Sequence, residues 1–152
     1  MAKTIAALLI ALTLTLAGCG RRPPNATPDG AVRELVERLR HVHGDAADAR
    51  AAYELLSKRT QSNLSARAQR YSAASGKMIA PEAMLAPSRF LVRFEPQRYV
   101  AKIVGAYALV DVTGLLEGDH AQIACVFEDE VWHVELALPP LAPVQLRPGS
   151  GT

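Results

Sequence analysis

Apolar residues recur at helical spacing in the first half of the chain. Thr27-Pro28-Asp29 is a typical helix start, because threonine caps, proline is tolerated at the first helical position and aspartate suits the positive helix end. Gly44 ends the pattern. The stripe predicts a helix over residues 28–42 and consists of Val32, Leu35, Val36, Leu39 and Val42.

A second helical pattern begins after Asp45, which can cap it, and continues to about Ala74 before Gly76. Its apolar positions are Ala49, Ala52, Tyr53, Leu56, Leu64, Ala68 and Tyr71. Residues 57–60 interrupt the spacing and predict a break or kink. Residues 81–85, between two prolines, can form at most a short helical turn.

The spacing changes at Ser88 from a helical period to a strand period. Phe90, Val92 and Phe94 alternate with other residues, and four further short apolar runs follow, separated by turn residues. These runs predict strands at about residues 88–95, 99–104, 106–113, 121–127 and 131–136. Helices followed by closely spaced strands predict an α+β fold, with the N-terminal helices packed on an antiparallel sheet of four to five strands.

The amino terminus carries a different pattern. Lys3 precedes an uncharged apolar run from Ile5 to Ala17, which is typical of a secretory signal peptide. A membrane-spanning helix would need about 20 apolar residues, so this run is too short for a permanent span.

Leu16-Ala17-Gly18-Cys19 resembles a bacterial lipobox at every position. The resemblance implies that a diacylglycerol is attached to the Cys19 sulfur and that the chain is cut before Cys19. Gly20 replaces the aspartate that retains lipoproteins in the inner membrane, so the resemblance implies an outer-membrane anchor facing the periplasm. An ordinary signal peptide with a chance cysteine is the alternative.

These patterns divide the chain into four parts. We expect a signal peptide at 1–18, a lipidated tether at 19–26, the α+β domain at 27–138 and a tail rich in proline and glycine at 139–152. An extended tether would reach roughly 25 Å. Two or three acyl chains, at about 0.8 kcal/mol per buried methylene, would hold the protein on the membrane.

The sequence contains two cysteines. If Cys19 carries a lipid, its sulfur cannot enter a disulfide, and Cys125 has no disulfide partner. Cys125 lies in the apolar run Ile123–Phe127 and is followed by acidic residues. This neighbourhood predicts a small buried hydrophobic residue rather than a reactive thiol.

Charge is distributed unevenly along the chain. Residues 21–102 contain 15 basic and 8 acidic residues, whereas residues 103–136 contain no basic and 7 acidic residues. The interpretation we favour is that the two parts form different faces that attract each other. The alternative is a basic face for an anionic membrane or ligand. An exported protein without an aromatic and basic stripe is not expected to bind nucleic acid.

The domain also resembles the nuclear transport factor two-like, or ketosteroid isomerase-like, α+β roll, also described as a cystatin-like roll. The resemblance covers residues 30–138. In the first half of the domain it rests on the first helix and on residues 44–45 and 51–57. In the second half it rests on Val104–Val112 and on the closing run Glu128-Asp129-Glu130-Val131-Trp132-His133-Val134. Residues 76–87 depart from the family pattern. The resemblance implies a sheet that curves around the helices and a conical pocket, which enzymes of the superfamily use and many relatives do not.

Candidate chemistry is sparse. His41 and His43 lie on different sides of a helix end, and His120 and His133 lack partners at metal-ligand spacing, with His133 expected on the exposed face. We therefore predict no metal, no cofactor and no assigned catalytic residue. An isomerase-like pocket would need a carboxylate beside a proton donor, and the tentative pocket residues are Tyr53, Tyr71, Phe94, Asp111 and Trp132. Core packing is the alternative for the aromatic side chains, and a solvent-facing position is the alternative for Asp111.

The function expected from these observations is that of a lipid-anchored cell-envelope protein with a non-catalytic domain. This domain would bind a small apolar ligand or an envelope protein close to the membrane. One alternative is a pocket enzyme of the isomerase or dehydratase type, which requires Asp111 to point into a closed pocket. Another is a structural accessory lipoprotein of an envelope complex, which an exposed apolar patch on the sheet would favour.

Overall fold

The computed structural model describes residues 22–141. The expected signal peptide, the lipobox with Cys19, and residues 142–152 of the expected tail lie outside these residues. The elements, in chain order, are a 3₁₀ turn at Pro24–Ala26, α1 (Pro28–His41), α2 (Ala46–Glu54), α3 (Lys58–Ser75), a 3₁₀ turn at Pro81–Met84, α4 (Pro87–Phe90), β1 (Arg98–Val104), β2 (Tyr107–Thr113), β3 (His120–Glu128) and β4 (Val131–Glu135).

The predicted α+β class is confirmed. The helices pack with a curved, unclosed antiparallel sheet whose four strands follow the order β1-β2-β3-β4. Each strand therefore pairs with the next in the chain, as the short connections predicted. β2 is an interior strand between β1 and β3.

The three long helices begin at side-chain caps. Thr27 Oγ1 accepts a hydrogen bond from the Gly30 amide at 3.2 Å, and Asp45 Oδ1 accepts one from the Ala47 amide at 2.7 Å. Both of these starts were predicted. The break between α2 and α3 falls slightly earlier than expected, because Ser57 caps α3 by accepting from the Thr60 amide.

The predicted strand at residues 88–95 is wrong. Pro87 begins the short helix α4, in which the Leu91 amide donates to the Pro87 carbonyl at 2.8 Å, and the chain then runs irregularly to Gln97. Proline fits the first position of a helix because it has no amide hydrogen. The alternating apolar residues pack against the edge of the core individually, without pairing in the sheet, and they include Phe90, Leu91 and Phe94.

The core lies between α1 and the inner face of the sheet. The predicted apolar stripe of α1 is buried, with Val32 and Leu39 fully covered, and it faces Val110 and Val112 of β2. α1 crosses the sheet diagonally. The Pro28 carbonyl lies 3.8 Å from Cys125 Sγ on β3, whereas the Arg33 guanidinium lies 5.1 Å from the Tyr99 ring centroid on β1.

The link between α2 and α3 joins the free edge of β4. Leu56 and Val134 form a parallel bridge, in which the Ser57 amide donates to the Val134 carbonyl at 2.9 Å and the Val134 amide donates to the Leu55 carbonyl at 2.8 Å. Leu56 is fully buried. The helices are therefore tied to the sheet by backbone hydrogen bonds as well as by the core.

The sheet has two distinct ends. We call the end with the turns at 105–106 and 129–130 the hairpin end, and the end with the connection at 114–119 the loop end. At the hairpin end, Gly105 has φ +60°, and Asp129 and Glu130 have φ +50° and +67°. Two successive positive φ angles are typical of a type I′ turn.

The uneven charge distribution brings the two parts of the chain together. Lys58 Nζ lies 2.9 Å from Asp129, Lys102 Nζ lies 3.4 Å from Asp111, and Arg59 pairs with Glu135. These ion pairs support the favoured interpretation, in which the basic part and the acidic part attract each other. Among the helices of residues 22–141, none is long and apolar enough to cross a membrane.

Candidate functional site

The five tentative pocket residues lie in separate places. Asp111 is on the outer face of the sheet, whereas Trp132 is buried on the inner face. Tyr53 lies between α2 and α3, where its hydroxyl donates to the Gln61 carbonyl at 3.1 Å. Tyr71 is exposed on α3, and Phe94 packs at the loop end. One pocket cannot gather Asp111 and Trp132, because the sheet separates them.

Asp111 belongs to a polar cluster on the outer face. Gln122 Nε2 donates to its carboxylate at 2.7 Å, His120 Nε2 lies 3.3 Å away, and Lys102 lies on its other side. The hydrogen bond from Gln122, together with Lys102 and His120, lowers the pKa of Asp111 below its ordinary value. A lowered pKa makes a carboxylate a weak general base and keeps it from acting as a general acid at neutral pH, so this environment favours a surface role for Asp111.

The aromatic side chain of Trp132 is packed in the hydrophobic core. It is 7% exposed and packs against Phe127, with ring centroids 5.2 Å apart and planes inclined by 56°. This tilted arrangement is common for aromatic pairs in protein interiors. The contact supports core packing for Trp132, which was the alternative to a place in a pocket.

Cys125 is buried, as the sequence predicted. Burial raises the pKa of its thiol to about 12, and the nearby charge of Asp29 acts in the same direction. The thiol therefore remains protonated at neutral pH and is a poor nucleophile. Across residues 22–141, no group of three or more His, Cys, Asp or Glu side chains is arranged to hold a metal ion.

Four large apolar side chains are exposed at the hairpin end, with Val104 and Tyr107 on the outer face of the sheet and Ile103 and Phe127 on its inner face. Ile103 and Val104 end β1, Tyr107 begins β2, and Phe127 lies near the end of β3, where its amide donates to the Ala106 carbonyl at 2.7 Å. Val104 is 78% exposed, Tyr107 68% and Ile103 55%. We call these four residues the hairpin patch.

The diagonal path of α1 explains the exposure of Ile103 in the hairpin patch. The first turn of α1 covers Cys125 on β3, and the helix then moves towards the other end of β1. The corner of the inner face at Ile103 is left uncovered. Sequence reasoning missed this patch, because Ile103 and Val104 follow each other in an apolar run that fits a buried strand equally well.

Acidic residues border the hairpin patch. Glu128, Asp129 and Glu130 form the adjacent turn, and Lys58 at the start of α3 pairs with Asp129. The Lys58 ammonium holds the pKa of Asp129 below its ordinary value. Residues other than glycine at positive φ are strained, and strain of this kind is concentrated at functional sites.

One shallow groove adjoins the patch, and a second lies beyond the other end of β4. The first, of about 430 Å³, lies between Tyr107, Val126, Glu128 and Arg59, and the second, of about 600 Å³, lies between Arg59, Asn63, Leu138 and Pro139. The Arg59–Glu135 ion pair separates them, and Ser57 also hydrogen-bonds to Glu135. Both grooves are open to solvent and contain no predicted catalytic pair.

His133 lies on β4, directly across from Val126 of the first groove. The sequence placed it on the exposed face, and it does lie on the outer face, opposite to the buried Trp132 and Val134. The side chain is nevertheless half-buried, and its Nδ1 is covered without a hydrogen-bond partner among the residues described.

No protein-family model, curated protein or solved structure matches the chain. The interpretation of this site therefore rests on its own geometry. That geometry is an exposed apolar patch with an acidic border and one shallow adjoining groove, on paired strands of the sheet. Such an arrangement is suited to contact with another surface.

Proposed function

We propose that this protein is a lipid-anchored lipoprotein of the cell envelope whose α+β roll acts as a non-catalytic interaction domain. The observation that carries the interaction role is the hairpin patch, in which Ile103, Val104, Tyr107 and Phe127 are exposed at one end of regular strands. Large apolar side chains exposed at one end of a sheet, next to a polar border, are typical of contact surfaces. The resemblance of residues 16–19 to a lipobox supports the anchor, and Gly20 in place of aspartate supports delivery to the outer membrane, facing the periplasm.

The arrangement favours an interaction role over the isomerase or dehydratase alternative. Asp111 lies on the outer face of the sheet, whereas the candidate donors Tyr53 and Tyr71 lie on α2 and α3, and the pKa of Asp111 is lowered by its partners. A proton-transfer enzyme of this kind needs its carboxylate and its proton donor in one secluded space. The shallow grooves beside β4 do not provide that seclusion.

The accessory-lipoprotein alternative shares the same supporting observation. An exposed apolar patch is expected of a subunit that docks on a larger envelope assembly. The two ideas differ in the partner: the interaction domain binds a small apolar ligand or a single envelope protein, whereas an accessory lipoprotein is a structural subunit of a larger envelope complex.

The anchor is tested by comparing the full chain with its Cys19→Ser variant in a bacterial host. The intact mass of the membrane-bound protein should correspond to a chain that starts at Cys19 with added acyl chains. Cys19→Ser should give an unprocessed precursor or a soluble protein, because serine provides no sulfur for the thioether. A Cys19→Ser chain that still matures and stays on the membrane would contradict the anchor.

Cys125→Ser is the matched control for this experiment. Cys125 is buried in the domain, so its replacement should leave lipidation and membrane retention unchanged. If Cys125→Ser lost the added mass and Cys19→Ser kept it, the lipid would be attached to Cys125 and the assignment to Cys19 would be wrong.

A further inference from the structure

The described chain begins beside the hairpin end of the sheet. The 3₁₀ turn at Pro24–Ala26 packs against both α1 and β4, and the Pro28 carbonyl lies 3.8 Å from Cys125 Sγ. Cys125 is only two residues from Phe127 of the hairpin patch. The amino-terminal chain therefore enters the domain near the patch and far from the loop end.

Gly30 allows the 3₁₀ turn at Pro24–Ala26 to pack closely against α1. A Cβ atom at Gly30 would lie 2.1 Å from the Pro24 carbonyl oxygen, so only glycine lets the 3₁₀ turn fold back onto α1. The expected tether of residues 19–26 is thereby shortened, because residues 24–26 belong to the folded domain. Arg22 is three residues from Cys19, which limits the separation of the two Cα atoms to roughly 10 Å.

From these positions we infer that the hairpin patch rests on the lipid bilayer to which Cys19 is anchored. The inference depends on the proposed lipid anchor and names the surface that the interaction domain contacts. The short connection holds the domain at the membrane by its hairpin end, and the side chains of Ile103, Val104, Tyr107 and Phe127 then meet the headgroup region. The loop end faces the periplasm.

The composition of the patch fits a lipid interface. Aliphatic and phenylalanine side chains enter the acyl boundary, while tyrosine is enriched at headgroup level because it combines an apolar ring with a polar hydroxyl. The patch residues lie on paired strands and are therefore held in place before contact. A lipid anchor supplies the main attachment, so the patch needs only to orient the domain.

The charge of the border specifies the kind of lipid. Glu128, Asp129 and Glu130 lie beside the patch, and the nearby basic side chains are paired with acidic ones: Lys58 with Asp129, Arg59 with Glu135 and Lys102 with Asp111. Anionic headgroups repel this border, whereas zwitterionic headgroups do not. We therefore expect contact with zwitterionic lipid and a weaker contact as anionic lipid is added.

A single fluorescent label can report which end of the sheet meets the bilayer. Val104 and Leu115 are matched positions, because they are 78% and 81% exposed and lie at opposite ends of the sheet. The variants Val104→Cys and Leu115→Cys are labelled with an environment-sensitive thiol dye near neutral pH. Cys125 does not compete, because it is buried and its pKa is about 12, and the sulfur of a lipidated Cys19 is blocked.

The labelled full-length proteins, purified with their lipid, are reconstituted on phosphatidylcholine vesicles with and without lipids carrying a shallow nitroxide quencher. We expect a blue shift and quenching of the dye at position 104, and no change at position 115. Replacing part of the phosphatidylcholine with phosphatidylglycerol should reduce both effects at position 104.

Several results would overturn the inference. Equal responses at both positions, or no response at position 104 in vesicle-bound protein, would show that the hairpin end does not rest on the bilayer. A shielded label at position 104 without quenching by lipid would indicate that protein, such as a second copy, covers the patch. Protein that lacks the added mass at Cys19 and does not bind vesicles would refute the anchor as well, so the two failures are distinguishable.

Discussion

The two ends of the sheet both expose apolar side chains, but they do so in different ways. At the loop end, Leu115 and Leu116 lie in a connection that is closed on itself, since the Asp119 amide donates to the Leu116 carbonyl at 2.9 Å. At the hairpin end, the exposed residues lie on regular strands next to the entry of the amino-terminal chain. Exposure alone therefore does not identify a contact surface. Regular strand pairing and the nearby entry of the amino-terminal chain distinguish the hairpin end.

The largest change in the free energy of unfolding is expected when an aromatic residue near either end of the sheet is replaced. Trp132→Ala should lower the free energy of unfolding by about 3–5 kcal/mol, because it leaves a large cavity in the core. Phe94→Ala at the loop end should cost less, because Phe94 is already half-exposed. Urea unfolding measures both. A negligible loss for Trp132→Ala would mean that its side chain lines a space available to a ligand.

A second comparison uses two glycines. Gly30→Ala should cost about 1–3 kcal/mol, because the new Cβ would overlap the Pro24 carbonyl and push the 3₁₀ turn away from α1. Gly118→Ala at the loop end is the control, since no atom lies within 4 Å of a Cβ placed there. Urea unfolding, with hydrogen exchange at the Ala26 amide, would detect the change. Equal stabilities of the two variants would refute the close packing of the amino-terminal turn.

Substitutions in the turn at the hairpin end should stabilise the fold. The double variant Asp129→Asn with Glu130→Gly should raise the free energy of unfolding by about 1 kcal/mol, because asparagine and glycine tolerate positive φ better than the residues present. Thermal unfolding provides the measurement, with Asp129→Asn alone as the control for loss of the Lys58 ion pair. Destabilisation of the double variant beyond that control would show that the turn is not strained.

The exposed residues themselves should contribute little to folding. Val104→Ser with Tyr107→Ser should change the free energy of unfolding by no more than about 0.5 kcal/mol, because both side chains are largely in water. The double variant Leu115→Ser with Leu116→Ser is the matched control at the loop end, and its free energy of unfolding should change equally little. A clear loss for the hairpin pair alone would mean that these residues support the fold instead of forming a free surface.

The smallest expected effect is electrostatic. Lys58→Met should raise the pKa of Asp129 towards its ordinary value, because the neighbouring ammonium is removed, and leave that of Asp111 unchanged. In the native protein the lowered pKa stabilises the fold above the ordinary aspartate pKa, and this contribution is lost as the pH falls through the lowered value. Carboxyl chemical shifts followed by NMR would test both residues. An unchanged pKa of Asp129 would contradict the ion pair.

Much of the fold could be predicted because local signals and burial agreed. The caps at Thr27 and Asp45, and the apolar stripe between Val32 and Leu39, defined α1 and the start of α2 without reference to other parts of the chain. The predicted strand at residues 88–95 failed for the opposite reason. Its alternation reflects separate contacts of Phe90 and Phe94 with the core edge, and a pattern in one segment does not reveal whether a neighbouring strand is available to pair.

The candidate site depended on information that a single sequence does not contain. The sequence could place Cys125 in the core, because its neighbours are apolar and its position on a strand was clear. It could not show that Asp111 and Trp132 face opposite sides relative to the helices, nor that α1 leaves the corner at Ile103 open. The first feature depends on the register of the strands, and the second depends on the angle at which α1 crosses the sheet.

The central claim is that the hairpin end is covered when the protein is in its native envelope. The most direct test is the rate at which a soluble maleimide labels Val104→Cys relative to Leu115→Cys, first in isolated native membranes and then after solubilisation in detergent. The account predicts that the ratio of the two rates is low in membranes and rises in detergent. An unchanged ratio would contradict it, because two equally exposed positions would then remain equally accessible on the membrane-held protein.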